Sequence, residues 1–320
     1  MQNPGVLSAN HSDRNTFMLD ETASFETSPR FDSQPSLLCV GDVVLGIDGG
    51  SSHHTDPGSK LDVFRIAEGD PDINVRIEVE ESLKPWSGEP AFDSGAVWKV
   101  FHERDQLVFD FASDALGCDP YKRMQTRNFV SAQIILNGDL LPDHAWPLEY
   151  PADELLITNY LAHYGLGVEV HGCGLIDQER GGFLFLGHSG AGKSTTTRLW
   201  KSVRDPEILS DDRIILRLHE GELWMYGTPW HGEAAFASAE KAKLNRIFIL
   251  QHGPDNEVTA LSPARAAGEL FARCFPPFHS AHGLQNTVEF LERVVSTVPC
   301  YESQFVPDNG AVEIALNFHD

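Results

Sequence analysis

Gly187-His188-Ser189-Gly190-Ala191-Gly192-Lys193-Ser194-Thr195 spells G-x-x-x-x-G-K-[ST], the pattern of a phosphate-binding loop. The apolar run at residues 183–186 predicts a strand entering the loop, and residues 195–203 predict a helix leaving it. In that arrangement loop amides and the helix N-terminus converge on phosphate oxygens. Lys193 then reaches the β- and γ-phosphates, and the Ser194 hydroxyl holds Mg²⁺. Gly187, Ser189, Gly190, Ala191, Gly192, Lys193, Ser194 and Thr195 are therefore the candidate nucleotide-binding residues. A chance glycine-rich turn before a helix is the competing reading, and strand, loop and helix standing in register argue against it.

A phosphate loop specifies a nucleotide, not a reaction. Just beyond the helix, Ile208-Leu209 ends in Ser210-Asp211-Asp212-Arg213. One carboxylate at a strand end is what a Walker-B metal position needs. Two adjacent acids allow one to hold the metal and the other to accept a proton from an attacking hydroxyl. In so acidic a chain an ordinary acidic turn is the alternative, which the position after the loop disfavours. No guanine-reading N-K-x-D follows, and 186 residues precede Gly187, unlike small-metabolite kinases that open with their loop.

The 320 residues carry 47 Asp+Glu against 24 Lys+Arg, a net charge of −23 that would repel a nucleic-acid backbone. No apolar run reaches the roughly eighteen residues a membrane span requires, so no membrane partner is expected. The N-terminus lacks the basic and apolar regions of a secretory signal, which makes the cytoplasm the expected compartment. Five cysteines without C-x-x-C pairing read as reduced, mostly buried thiols.

Residues 1–36, rich in Ser, Asp, Asn and Thr, read as a disordered arm. Short alternating stretches such as Ile73-Val75-Ile77-Val79 make residues 37–146 a mainly β domain. His53-His54 lies in a Gly/Ser loop, read as a solvated turn. Residues 147–320 alternate strands and helices, an α/β domain. Its predicted helices span 153–164, 263 to about 275 after the Ser262 cap, and 284–298.

His171-Gly172-Cys173-Gly174-Leu175-Ile176-Asp177, the phosphate loop and Ser210-Asp211-Asp212-Arg213 together resemble the catalytic core of bacterial HPr serine kinase/phosphorylases and of HPr kinase-related proteins. Their nucleotide fold is shared with ATP-dependent phosphoenolpyruvate carboxykinase. The resemblance implies an ATP-binding α/β core in which the chain before the loop packs as strands onto the same sheet. It further implies ATP and Mg²⁺ as cofactors, Lys193 on the triphosphate, Ser194 and Asp212 on the metal, Asp211 as the base and His171 near the reacting phosphate. By spacing alone, His171 reads equally as a buried structural histidine.

The chain departs from that family in two places. Thr195 stands where the HPr enzymes usually have Glu, and the Met-Glu-Ile-Arg-Gly segment associated with phosphorolysis is absent. In its place is Tyr226-Gly227-Thr228-Pro229-Trp230-His231-Gly232-Glu233, read as a substrate loop contributing His231 and Glu233, against the alternative of a turn with a packed Trp. The expected activity is transfer of the γ-phosphoryl group of ATP to a hydroxyl, Ser foremost, of a protein or peptide. A nucleotide-binding regulatory module without transfer and a small-molecule kinase are the alternatives. Analogy with ring-forming family members adds a homo-oligomer.

Overall fold

The computed structural model describes residues 36–49, 60–140 and 146–318. The arm expected over residues 1–36 falls outside them apart from Ser36, as do His53 and His54. The described chain is a mixed α/β structure built on two large sheets.

The first sheet contains β1 (Ser36–Val40), β2 (Val43–Asp48), β3 (Arg65–Ile66), β4 (Ile73–Glu80), β5 (Phe92–Asp93), β6 (Trp98–Glu103), β7 (Gln106–Ser113), β8 (Gly117–Thr126) and β9 (Ser131–Asn137). Their order is β3-β1-β2-β4-β9-β8-β7-β6-β5. The pairs β2–β4 and β4–β9 are parallel and the rest antiparallel. The alternation read at 73–79 buries Ile73, Val75 and Ile77, while Val79 is exposed beyond the core edge. Strand β7 is instead buried on both faces. Phe109 and Phe111 join the core, and Asp110 on the other side takes the Arg123 guanidinium at 2.5 Å and the Trp86 amide at 2.8 Å. That buried charge is tolerated because it is paired and hydrogen-bonded.

Helix α1 (Ala152–His163) closes this core, with Leu156, Ile157 and Leu161 packed in one cluster with Leu45, Val75 and Phe109. Its C-terminal carbonyls at Ala162 and His163 each accept from Asn286 Nδ2 at 2.9 Å.

The second sheet comprises β10 (Gly167–Asp177), β11 (Gly181–Leu186), β12 (Glu207–Ser210), β13 (Arg213–His219), β14 (Glu222–Tyr226), β15 (Lys241–His252), β16 (Glu257–Ala260) and β17 (Cys300–Phe305). Helices α2 (Lys193–Val203), α3 (Pro263–Phe271), α4 (Ala281–Thr297) and α5 (Asn309–Asn317) accompany it. Strand β11 lies between β10, antiparallel, and β15, parallel, and β15 continues parallel to β17. Strand β10, which precedes β11 in the chain, thus shares its sheet. Apolar layers lie on both faces. Leu184 and Leu186 pack in a cluster with Leu270, Phe290 and Val294 of α3 and α4, and Phe183 and Phe185 pack with Trp200 of α2 and Val312 of α5. Burial on both sides is why 183–186 reads as a continuous apolar run.

Two predicted elements change length. The apolar residues within Val168-Glu169-Val170-His171 read as a short strand, and that strand runs on to Asp177, through Gly172 and Gly174. A Cβ at those positions would stand 2.6 Å from Leu186 and 2.7 Å from Ile214, so glycine is required by close packing. The helix predicted to reach about Phe275 stops at Phe271, because Cys274 bridges Val170 and the Phe275 amide donates to Glu169 O at 3.1 Å.

Candidate active site

Strand β11 delivers the chain into the loop at Gly187, and α2 begins at Lys193. The amides of the first turn of α2 have no acceptor within the helix. His188, Ser189 and Gly190 form an exposed apex, while Ala191, Gly192, Ser194 and Thr195 are half-buried. Lys193 is 8 % exposed, and its Nζ donates to Gly187 O at 3.0 Å and His188 O at 3.3 Å. Burial pushes the ammonium below its ordinary pKa, opposed by the nearby Asp212 charge. The loop is braced from the sheet. Phe305 lies under Gly192, and His252, stacked on Phe305 at 6.1 Å, donates its Nε2–H to Gly190 O at 2.9 Å.

Gly192 has φ +100°, and a Cβ there would stand 2.4 Å from Phe305 Cζ. Gly192→Ala is therefore expected to destabilise the chain by about 1–3 kcal/mol and to weaken nucleotide binding, as thermal unfolding and a binding titration would show. Adding Phe305→Leu relieves the clash but not the left-handed backbone, so recovery should be partial.

Asp211 and Asp212 stand at the turn between β12 and β13. Ser210 Oγ clips this turn, accepting the amides of Asp212 and Arg213 at 3.2 Å each and donating to Trp230 O at 3.2 Å. The two carboxylates have different surroundings. Asp211 is 2 % exposed and accepts backbone N–H groups from Gly232 at 3.0 Å, Ala234 at 2.9 Å and Phe236 at 3.3 Å. Asp212 keeps a quarter of its side chain exposed and lies 2.9 Å from His171 Nε2. Its other oxygen pairs with Arg213. Partial burial pushes the Asp212 carboxyl up, but the His171 bond and the Arg213 charge outweigh it and hold the group below its ordinary pKa.

Arg213 is the hub of this end of the site. Its Nε donates to Glu154 Oε1 at 3.0 Å and lies 3.3 Å from Glu169 Oε1, while the guanidinium covers the Phe275 ring at 4.2 Å. Glu169 is fully buried, with no hydrogen-bond partner at either oxygen. Burial, reinforced by the Glu154 charge, raises its pKa well above the ordinary carboxylate range. The neighbouring Asp153, also buried, is raised to about 7 by burial and accepts Trp230 Nε1 at 2.8 Å.

The structure therefore brings His171, Asp212 and Arg213 together beside the lysine of the loop, with Asp211 behind them. In the 226–233 segment Trp230 is packed in the first core, whereas His231 and Glu233 are exposed. Toward the C-terminus, Arg265 pairs with Glu302, Arg273 with Glu269, and Arg293 donates to Gly165 O at 3.2 Å. Cys173 is buried beneath α2, accepts Thr197 Oγ1 at 3.0 Å and is pushed to about 12 by burial, as a packed thiol.

Sequence reasoning missed Asp153, Glu154, Glu169, His252 and Phe305. Only Glu169 left a signal, an acid inside the apolar strand Val168-Glu169-Val170. Asp153 and Glu154 are indistinguishable in sequence from the acids common in first helical turns.

The site's donors fit a magnesium nucleotide. Ser194 Oγ and Asp212 offer two hard oxygens, and Mg²⁺ characteristically completes its shell with phosphate and water. Among the described residues no cluster of three or more His, Cys, Asp or Glu forms a self-sufficient cage. No helix among them is long and apolar enough to cross a membrane.

No family model matches the chain, and no curated protein matches it. Among solved structures it is similar to the Hpr(Ser) kinase/phosphatase from Coxiella burnetii, at 10 % identity over 46 % of this chain and 90 % of that one, with a TM-score of 0.26.

Proposed function

We propose that the protein is an ATP- and Mg²⁺-dependent phosphotransferase that moves the γ-phosphoryl group onto a hydroxyl, Ser foremost, of a protein or peptide. The observation that carries this reading is the strand–loop–helix with buried Lys193, set beside a half-exposed carboxylate, Asp212, that His171 and Arg213 hold in place. Lys193 and the α2 amides would bind the phosphates, and catalysis would come from positioning and charge neutralisation. Ser194 and Asp212 are the residues that would hold Mg²⁺, whose contribution is to neutralise charge on the phosphate oxygens.

In transfer, the bond from the γ-phosphorus to the bridging oxygen breaks to leave ADP. A new phosphorus–oxygen bond forms to the acceptor, and the hydroxyl proton passes to a carboxylate. Asp211 is the residue proposed for that proton. In the arrangement described, its oxygens are occupied by three amides, so loop 232–236 must shift on acceptor binding to free it. That loop carries Glu233 and follows His231, which ties acceptor binding to release of the base. Exposed Tyr150 and Phe275, together with His231 and Glu233, give this side of the site an open face suited to a macromolecular acceptor.

The direct test is transfer of label from γ-³²P-ATP with Mg²⁺ into a cell extract, with protein and small-molecule fractions separated. A labelled protein or peptide that disappears with Asp212→Asn is the expected result. Label confined to a metabolite would overturn the acceptor class, and nucleotide binding without any transfer would overturn the enzyme.

A further inference from the structure

Two consecutive acids at the start of α1 reach the two consecutive acids of the site by separate routes. Asp153 accepts Trp230 Nε1 at 2.8 Å, and Trp230 leads directly into loop 232–236, whose three amides hold Asp211. The same segment is fastened a second time, because Trp230 O accepts Ser210 Oγ at 3.2 Å, and Ser210 clips the Asp211–Asp212 turn. Glu154 accepts Arg213 Nε at 3.0 Å, and Arg213 pairs with Asp212.

Arg213 is committed to three carboxylates: its Nε meets Glu154 and Glu169, its Nη1 meets Asp212, and its face is covered by Phe275. Such an arginine orients the carboxylates it pairs with. Helix α1 is in turn set by the first sheet, since Leu156, Ile157 and Leu161 are buried in that sheet's core, as is Trp230 itself.

We propose that Asp153 and Glu154 are positioning residues for the twin carboxylates, Asp153 acting through Trp230 on Asp211 and Glu154 acting through Arg213 on Asp212. The first sheet thereby sets the geometry of the acids, while the phosphate loop is set independently by β11, α2 and Phe305. The metal-binding half of this inference rests on the function proposed above; the positioning of loop 232–236 does not.

The test separates the two routes. For the Asp153 route, amide hydrogen exchange is followed across residues 230–237 in wild type, Trp230→Phe and Asp153→Ala, each first checked by melting temperature. Exchange about five- to tenfold faster in that segment, with residues 183–200 unchanged, is expected from loss of one buried hydrogen bond. Unchanged exchange in both folded variants would overturn this route.

For the Glu154 route, Glu154→Gln keeps shape and removes charge. Mn²⁺ affinity in the ATP complex should fall about tenfold, the usual scale for losing a partner of a metal ligand, while metal-free ATP binding stays within about twofold. An unchanged Mn²⁺ affinity, or an equal loss of metal-free binding, would overturn it. A wild-type protein that binds no nucleotide would overturn the proposed function instead, and the exchange measurement would still decide whether α1 positions Asp211.

Discussion

Lys193→Ala is expected to abolish label transfer, by at least about a thousandfold, while leaving the fold nearly intact. Nζ donates to the carbonyls of Gly187 and His188 and is hydrogen-bonded to no carboxylate. Its removal therefore leaves no hydrogen-bonded carboxylate unpaired, and the penalty comes from packing of the stem and the two carbonyls left without their donor, about 1–3 kcal/mol or several degrees in melting temperature. Under the proposed function the loss is far larger, because this ammonium would bring positive charge to the β- and γ-phosphates. Removing one preorganised donor typically costs 10²–10³ in rate, and weaker triphosphate binding adds to it. Single-turnover transfer and calorimetric ATP binding would check both parts. Transfer retained within about tenfold of wild type would remove Lys193 from the reaction.

Arg213→Ala should have the largest effect on stability. The guanidinium is the shared cation of Glu154, Glu169 and Asp212, and Glu169 is fully buried. Removing one partner of a buried ion network leaves uncompensated charge and costs about 3–5 kcal/mol. The pH dependence gives the mechanism a sign. Without the cation, buried Glu169 binds its proton still more tightly in the folded chain than in the unfolded one, so its folded pKa lies further above the unfolded value. Such groups contribute stability that is present below the unfolded carboxylate pKa and is lost as pH rises through the folded one. The deficit relative to wild type is therefore expected to be larger at pH 8 than at pH 5, as paired urea unfolding curves would show. Arg213→Lys should recover only part of it, because a point charge cannot span the edges that the planar fork serves.

The P-loop and its flanking strand and helix were legible because each depends on local chemistry. The glycine spacing, the lysine and the apolar run all fall within about twenty residues of chain. The helix spanning 281–297 was legible for the same reason, since its apolar face repeats at helical spacing and needs no knowledge of its neighbour. The end of α3 was not legible, because it is set by a bridge to Val170, a hundred residues upstream in the chain. The difference between Asp211 and Asp212 was equally hidden. Side by side in sequence, they differ because distant segments close on each: the amides of loop 232–236 on Asp211 and the His171 ring on Asp212.

By itself, then, the amino-acid sequence determined the phosphate-loop motif, the alternation that builds the first sheet, and the candidate residues His171, Lys193, Ser194, Asp211 and Asp212. Tertiary structure decided which acid is exposed, that Arg213 is consumed by Glu154 and Glu169, and that Trp230 belongs to the first core while the loop it leads holds Asp211. The physical reason is range. Propensity, periodicity and loop chemistry act between residues a few positions apart, whereas burial and ion pairing depend on which distant segments meet, and Glu154 and Arg213 are brought together only when α1 docks between the two sheets' strands.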